Sequence, residues 1–369
     1  MRRFLAATLP ALALLGPPAA FGHDPVPLAI GAKAPEFKLP GVDGKDHKLG
    51  EYAAAKVLVV CFTCNHCPTA QAYEARVARL VADYKDKGVA VVAISPNDPK
   101  AVSLAELGYS DLGDSFDEMK LRAKDGNYNY PYLYDGETQE TAKAYGVLAT
   151  PHIFIFDKDR KLRFQGRFDD EEVKPPTSHD TINAVNALLA GKPVPVATTR
   201  VQGCSTKWSD KRADTLKAIA KWDAEPVELK SADAAAVSKL LANDSKKYLL
   251  LGVWSSESQP AVAILDDLVT INRMYRGRPF EMATLSLDGP EKRDETLKVL
   301  RKNHASARNY LFQGSDRETI VDAIDKEWTG SGPYTLLIAP GGKVVYQKAG
   351  AFDALELKRA IVGQLGRTY

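Results

Sequence analysis

A chain of 369 residues with 45% apolar content is longer than one ordinary domain and too rich in core-forming side chains to be a disordered tail. Its 49 lysines and arginines nearly balance 47 acidic residues, for a net charge of +2. No basic block interleaved with aromatics occurs, which argues against nucleic acid as a partner.

The first stretch, MRRFLAATLPALALLGPPAAFG, places Arg2 and Arg3 before an apolar run from Phe4 to Leu15 and small residues up to Gly22. This is the layout of a cleavable secretory signal over residues 1–22, cut before His23. Pro10 and Pro17-Pro18 break the run short of the roughly 20 apolar residues a membrane span needs, and no later segment is expected to span a bilayer. A periplasmic or secreted location, where disulfides can form, is the expectation.

From Ile30, short extended pieces broken by Pro35, Pro40 and the turn from Gly41 to Gly44 predict an N-terminal hairpin. KVLVVCF (56–62) reads as a central strand buried on both faces, and residues 68–87 as a helix with Tyr73, Val77, Leu80, Val81 and Tyr84 on one stripe. VAVVAIS (89–95) is the next buried strand, and 97–129 reads as a helix or two and a surface loop. A short strand (130–135), a helix (138–146), two strands around a turn (149–168) and a helix from Asp180 to Leu189 complete an α+β order of helices on a sheet.

The same order returns downstream. KYLLLGVWSSESQP (247–260) repeats KVLVVCFTCNHCP, with Ser255 and Ser258 where Cys64 and Cys67 stand. Residues 274–288 match the second strand block, and GPYTLLIAPGGKVVYQKAGAF (332–352) matches TPHIFIFDKDRKLRFQGRF. Two tandem domains of one fold are expected: 23–205, redox-active, and 229–369, lacking the cysteines, joined by a linker over 206–228. In the second copy Gly332-Pro333 keeps the proline strand start, so a redox-inert domain that binds or orients partners, or one that only packs on the first, is expected.

CFTCNHCP (61–68) carries three of the four cysteines. Cys64 and Cys67 fall between a buried strand and an amphipathic helix. There unpaired backbone N–H groups and the helix dipole favour a thiolate, with pKa lowered from about 8.5 to roughly 3.5–7.5. Placed at the helix N-terminus, Cys64 is the expected nucleophile and Cys67, one turn on, the resolving thiol; His66, as a cation or donor, adds to thiolate stabilisation. Thr150-Pro151 before HIFIF is a candidate cis peptide that would leave the Thr150 backbone free to pair with an extended substrate. His152 would either tune Cys64 and meet substrate or be a partly exposed strand residue. The acidic run from Asp169 to Glu172 reads as a solvated loop.

With GAKAPEFKLPGVDGK, FTCNHCP and GVLATPHIFIFD in place, residues 28–205 resemble the thioredoxin-fold superfamily, specifically its redoxin (AhpC/TSA, peroxiredoxin-like) branch, and GCSTKW around Cys204 resembles a tail of that branch. The resemblance implies two thioredoxin-like α/β domains in tandem, a nucleophilic Cys64, a resolving Cys67, and a cis-Pro151 beside them, with Thr150, Pro151 and His152 at the substrate. It implies a thiol-disulfide oxidoreductase acting on protein or small-molecule disulfides and thiols, regenerated by a redox partner, with no cofactor. Peroxiredoxins place a threonine or serine three residues before the reactive cysteine and a proline four before that. Cys61 and Val57, or Cys64 and Val60, stand there instead. Thioredoxins carry a buried aspartate six residues before the first cysteine, where this chain has Leu58.

Two alternatives remain: a thiol-dependent peroxidase, and a non-enzymatic module binding a partner or a copper or zinc ion through Cys64, Cys67 and His66. An iron–sulfur cluster would need four convergent ligands, whereas Cys61 lies in the strand as a small core hydrophobe. Cys204 is expected either as a buried free thiol or in a disulfide, with Cys61 as one partner.

Overall fold

The computed structural model describes residues 25–314 and 317–369. The signal expected over residues 1–22 lies outside them. Two strands, β1 (Lys38–Pro40) and β2 (Asp46–Lys48), pair antiparallel as the N-terminal hairpin. The β-branched run then forms β3 (Val57–Phe62), whose alternate residues enter two different cores. Val57, Val59 and Cys61 pack with Tyr73, Val77 and Leu80 of α1 (Pro68–Tyr84), and Leu58, Val60 and Phe62 with Ala142 and Tyr145 of α3, given below. Pro68 at the first helical position has no N–H to waste, and Gly88 at φ 86° turns the chain back toward β4 (Val89–Ser95).

The segment from 97 to 129 contains two 3₁₀ turns, Pro99–Ala101 and Leu104–Tyr109, and α2 (Phe116–Asp125), which starts from a capping box of Ser115 and Glu118. Next come β5 (Tyr132–Tyr134), α3 (Glu140–Tyr145), β6 (Ala149–Thr150), β7 (His152–Phe156), β8 (Leu162–Gly166) and α4 (Asp180–Leu189). The first sheet has the order β5-β4-β3-β7-β8, with β3, β4 and β5 parallel and β7 and β8 antiparallel. After α4 the chain returns across the front of this sheet as β9 (Cys204–Ser205), paired with β6.

The connection between the two sheets holds a helix, α5 (Arg212–Asp223). The second sheet is built from β10 (Lys230–Ala232), α6 (Ala234–Ala242), β11 (Tyr248–Trp254), α7 (Gln259–Tyr275), β12 (Phe280–Ser286), α8 (Arg293–Lys302), β13 (Arg308–Phe312), α9 (Arg317–Ile324), β14 (Tyr334–Ile338), β15 (Val344–Ala349) and α10 (Ala354–Leu365). Its order, β10-β13-β12-β11-β14-β15, repeats the first sheet's arrangement of parallel and antiparallel strands and adds β10 at one edge.

The two sheets meet around α7, α10 and the Leu104–Asp114 segment. Tyr275 donates its hydroxyl to the carbonyl of Ser110 (2.8 Å), and Arg278 lies over the Tyr109 ring (3.8 Å) and donates to the carbonyl of Gly108 (2.9 Å). Asp111 receives Arg359 (3.4 Å) and Arg367, both from the C-terminal region. Among the described residues no helix is long and apolar enough to cross a membrane.

Candidate active site

Strand β3 delivers the chain to Thr63, whose amide still bonds to Ile94, and the loop from Cys64 to Cys67 then turns into α1. The N-cap of α1 is Cys67, with Cys64 three residues upstream in the loop. This corrects the placement expected from spacing: helix-terminus stabilisation falls on Cys67. The reason lies in Pro68, which favours the first helical position and so fixes the cap one residue before it.

Asn65 and His66 are held by a buried aspartate that spacing did not reveal. One Asp114 oxygen accepts the amides of Asn65 (2.9 Å) and His66 (3.1 Å). The other accepts His66 Nδ1 (2.6 Å) and Asn97 Nδ2 (2.7 Å). Asn65 is fixed further by Gly113 O (2.7 Å) and the Tyr132 hydroxyl (3.1 Å). Burial opposes charge on both partners, yet the Asp114 carboxylate raises His66 above its ordinary range and the imidazolium lowers Asp114 below its own.

The sulfurs divide in the same field. Burial raises Cys64, and so do its own donation to Cys67 and the nearby carboxylate of Asp114; only the Thr150 hydroxyl, 3.0 Å from Cys64 Sγ, works the other way. Burial also disfavours a charge on Cys67, but donation from the Cys204 and Cys64 thiols, the His66 cation and the Ala70 amide outweigh it and bring Cys67 well below the ordinary thiol range. The Cys204 amide adds a further contact, 3.4 Å from Cys67 Sγ. Against these stands one acceptor, Thr150 O at 3.1 Å, to which Cys67 donates when protonated. Several donors against one carbonyl favour the thiolate.

Thr150-Pro151 is cis, as its sequence context suggested. The Thr150 backbone, however, is not free: β6 pairs antiparallel with β9, Thr150 opposite Cys204 and Ala149 opposite Ser205. The place expected for an extended substrate is taken by the chain's own strand. His152 is fully buried on β7, accepts from the Leu148 amide through Nδ1 (3.4 Å) and lies on the Phe154 ring (4.3 Å). Burial pushes it down to about 3, so it is a neutral ring of the core, closed off from solvent, and not the partly exposed strand residue that was the other expectation.

The other cysteines resolve as follows. Cys61 is a core residue of β3, pushed up to about 12 by burial. Cys204 lies beside Cys64, Cys67 and Ala70, away from Cys61, because β9 crosses at Thr150. No local motif could announce that contact, which depends on a pairing across more than fifty residues. Asp169 in the acidic run is buried and receives Arg76 (2.7 Å), and Glu172 accepts from the Thr69 hydroxyl (3.0 Å), so these two turn in against α1 while Asp170 and Glu171 stay on the solvated side, as expected of a loop.

In the second sheet Ser258 caps α7 as Cys67 caps α1, accepting from the Ala261 amide (3.4 Å), while Ser255 donates to Asp288 (2.6 Å). Pro333 again precedes the strand, although Thr150-Pro151 is the cis bond recorded among the described residues. Among the described residues no strand covers this counterpart: a cleft of about 760 Å³ opens there, lined by Trp254, Ser255, Ser258 and Gly332 among others.

Residues 30–165 match the model of the AhpC/TSA family. The "Thiol-disulfide oxidoreductase ResA" of Geobacillus thermodenitrificans (strain NG80-2) is 25% identical over 158 residues, 42% of this chain and 79% of that protein. The protein of that name from Bacillus thuringiensis subsp. konkukian (strain 97-27) is 26% identical over 137 residues, 37% of this chain and 68% of its own. Among solved structures, an uncharacterized conserved protein from Geobacillus kaustophilus is 39% identical, covering 49% of this chain and 93% of that one with a TM-score of 0.44. A putative thiol:disulfide interchange protein DsbE from Chlorobium tepidum is 23% identical over 44% of this chain and 99% of that one, TM-score 0.35.

Proposed function

From the match of residues 30–165 to the AhpC/TSA family model, we propose that the chain is a thiol-disulfide oxidoreductase with Cys64 and Cys67 as its redox pair. The observation that carries this reading is the packing of the two buried thiols against each other at the start of α1, with Cys67 at its N-cap. The relatives named thiol-disulfide oxidoreductase support it.

In this reading Cys67 is the nucleophile, the reverse of the order expected from sequence. Its thiolate attacks one sulfur of a substrate disulfide, forming a mixed disulfide and releasing the other sulfur as a thiolate. Cys64, losing its proton, attacks Cys67 Sγ, closes the Cys64–Cys67 disulfide and releases the second substrate sulfur. The Cys64 proton passes to a departing substrate thiolate, while the His66 cation, Nδ1 3.7 Å from Cys64 Sγ, favours the forming Cys64 thiolate. An outside dithiol or disulfide restores the starting state. The N-terminal pattern supports export as part of the same reading.

A peroxidase is the weaker reading, because neither the threonine nor the proline of the peroxidatic pattern precedes either cysteine. Metal binding has one observation in its favour: Cys64, His66 and Asp114 present ligand atoms within 4.8 Å of one another. The same imidazole and carboxylate atoms already form the ion pair.

The reduction potential of the Cys64–Cys67 pair in glutathione buffers tests the reading, together with the pH dependence of thiolate ultraviolet absorbance in the Cys64→Ala protein. A reversible two-electron couple, with Cys67 ionised at neutral pH, is expected. A pair that never cycles, or metal retained through purification at one ion per chain, would overturn it.

A further inference from the structure

The dithiol of the reduced protein is closed. Cys64 is 2% exposed and Cys67 not exposed, and Thr150 and Thr206 around them are equally buried. A substrate disulfide therefore reaches Cys67 directly only when the β6–β9 pair opens. Of the four cysteines only Cys204 reaches the surface in part.

Its position is held from several sides. Cys204 is opposite Thr150 in the β6–β9 pair, and the next residue but one, Thr206, donates its amide to Leu148 O (3.3 Å). Gly203 lies at φ 144° with its backbone so near Thr150 that an added Cβ would stand 2.1 Å from Thr150 O. That close approach packs Cys204 against Cys67, with the Cys204 amide 3.4 Å from the Cys67 sulfur. Cys67 is therefore the middle member of three thiols in a row, Cys64 on the buried side and Cys204 on the outer side.

We propose that Cys204 is a third redox thiol, which converts the buried Cys64–Cys67 disulfide into a Cys67–Cys204 disulfide that outside thiols can reach. The proposal rests on Cys64 and Cys67 being the redox pair. In the first step Cys204 gives up its proton and attacks Cys67 Sγ. The bond from Cys64 to Cys67 breaks, the bond from Cys67 to Cys204 forms, and Cys64 leaves as a thiolate that takes up one proton. No electrons enter or leave the chain. In the second step a thiolate of an outside dithiol attacks Cys204 Sγ and Cys67 departs, the better-stabilised thiolate and so the better leaving group. The second thiol of that dithiol then releases Cys204, so that the outside dithiol ends as a disulfide and the chain as three thiols. Every step is reversible, and an outside disulfide reduced by the chain follows the same path backwards.

Trypsin separates the possibilities. Cleavage after Lys56, Arg76, Arg200 and Lys207 puts Cys61, Cys64 and Cys67 in one peptide, 57–76, and Cys204 alone in another, 201–207. A Cys64–Cys67 disulfide stays within the first peptide, whereas a Cys67–Cys204 disulfide joins the two. The full chain carrying Cys64→Ala is treated with glutathione disulfide, quenched in acid, alkylated and digested, with Cys64→Ser as a second variant should the first not fold. The joined peptide, with fragment ions locating the bond at Cys67, is the expected product. Loss of the joined peptide, whether Cys67 carries glutathione or both thiols are recovered alkylated, overturns the proposal. The Cys204→Ala chain under the same treatment isolates the underlying reading. If its 57–76 peptide loses two hydrogens to an internal disulfide, the redox pair stands whatever becomes of Cys204; if it does not, that reading fails by itself.

Discussion

Two histidines of this chain titrate in opposite senses. His66 is raised by Asp114, so its contribution to stability is complete below the ordinary histidine pKa near 6.5 and is lost as pH rises through its folded value. Asp114 is lowered, so its share is present above the ordinary value near 3.8 and is lost as pH falls through its folded value. Asp114→Asn breaks this buried pair, and burial then drives the proton off His66. It should cost roughly 3–5 kcal/mol in chemical denaturation and move the Cys67 thiolate titration upward as His66 becomes neutral. His152 is depressed to about 3, so it costs stability progressively as pH falls from about 6.5, reaching on the order of 5 kcal/mol once pH drops below its folded value. His152→Asn retains an acceptor for the Leu148 amide and should flatten the stability profile between pH values of about 4 and 6.5, measured by urea unfolding; an unchanged acid limb would contradict the assignment. The dithiol and the proline were legible in sequence because both sit at fixed offsets from strand and helix signals. Asp114 was not, since it lies in the irregular 97–129 segment and its meaning comes only from the fold bringing Asn65 and His66 to it.

At the level of elements, the hydrophobic periods carried far: α4 has the bounds Asp180 and Leu189 read from its pattern, and Ser258 caps α7 where the repeat aligned it with Cys67. The short strands escaped. β9 is two residues long and β10 three, with partners distant in sequence, and such segments have no period to read. Yet β9 decides access to the site. Gly203→Ala would set a Cβ against Thr150 O at a backbone angle that L side chains rarely adopt, at roughly 1–3 kcal/mol of local strain. The β6–β9 pair should open, and alkylation of Cys67, followed on peptide 57–76, should accelerate severalfold. Unchanged labelling would show that the strand is not what closes the dithiol.

Across the whole molecule, the second sheet acts on the first through its last residues. Tyr369 packs at a tilt on Tyr109 with ring centres 4.9 Å apart and lies close enough to Cys204 to influence its thiol, while Arg367 reaches Asp111 and Gln71. Removing residues 367–369 should leave both sheets folded by circular dichroism while Cys204 becomes more reactive toward iodoacetamide. Equal reactivity would mean that the tail has no hold on it. The sequence repeat pointed to two sheets of similar strand order, because the strand blocks of each are local. How the units dock was illegible, since Asp111 and Arg367 are 256 residues apart and neither belongs to a motif.

The contact between Cys67 and Cys204 closes 137 residues of sequence, whereas Cys64 and Cys67 are three apart. A cross-link restrains the unfolded chain more as its loop lengthens, by about 5 kcal/mol for the long loop and about 2 kcal/mol for the short one on the chain-entropy model. Moving a disulfide by one thiol would therefore change resistance to unfolding by about 3 kcal/mol with little change in native contacts. Oxidised Cys64→Ala should melt well above its reduced form, and a smaller rise should separate oxidised from reduced Cys204→Ala. The sulfur that holds the bond would then set how long a chain survives heat or protease.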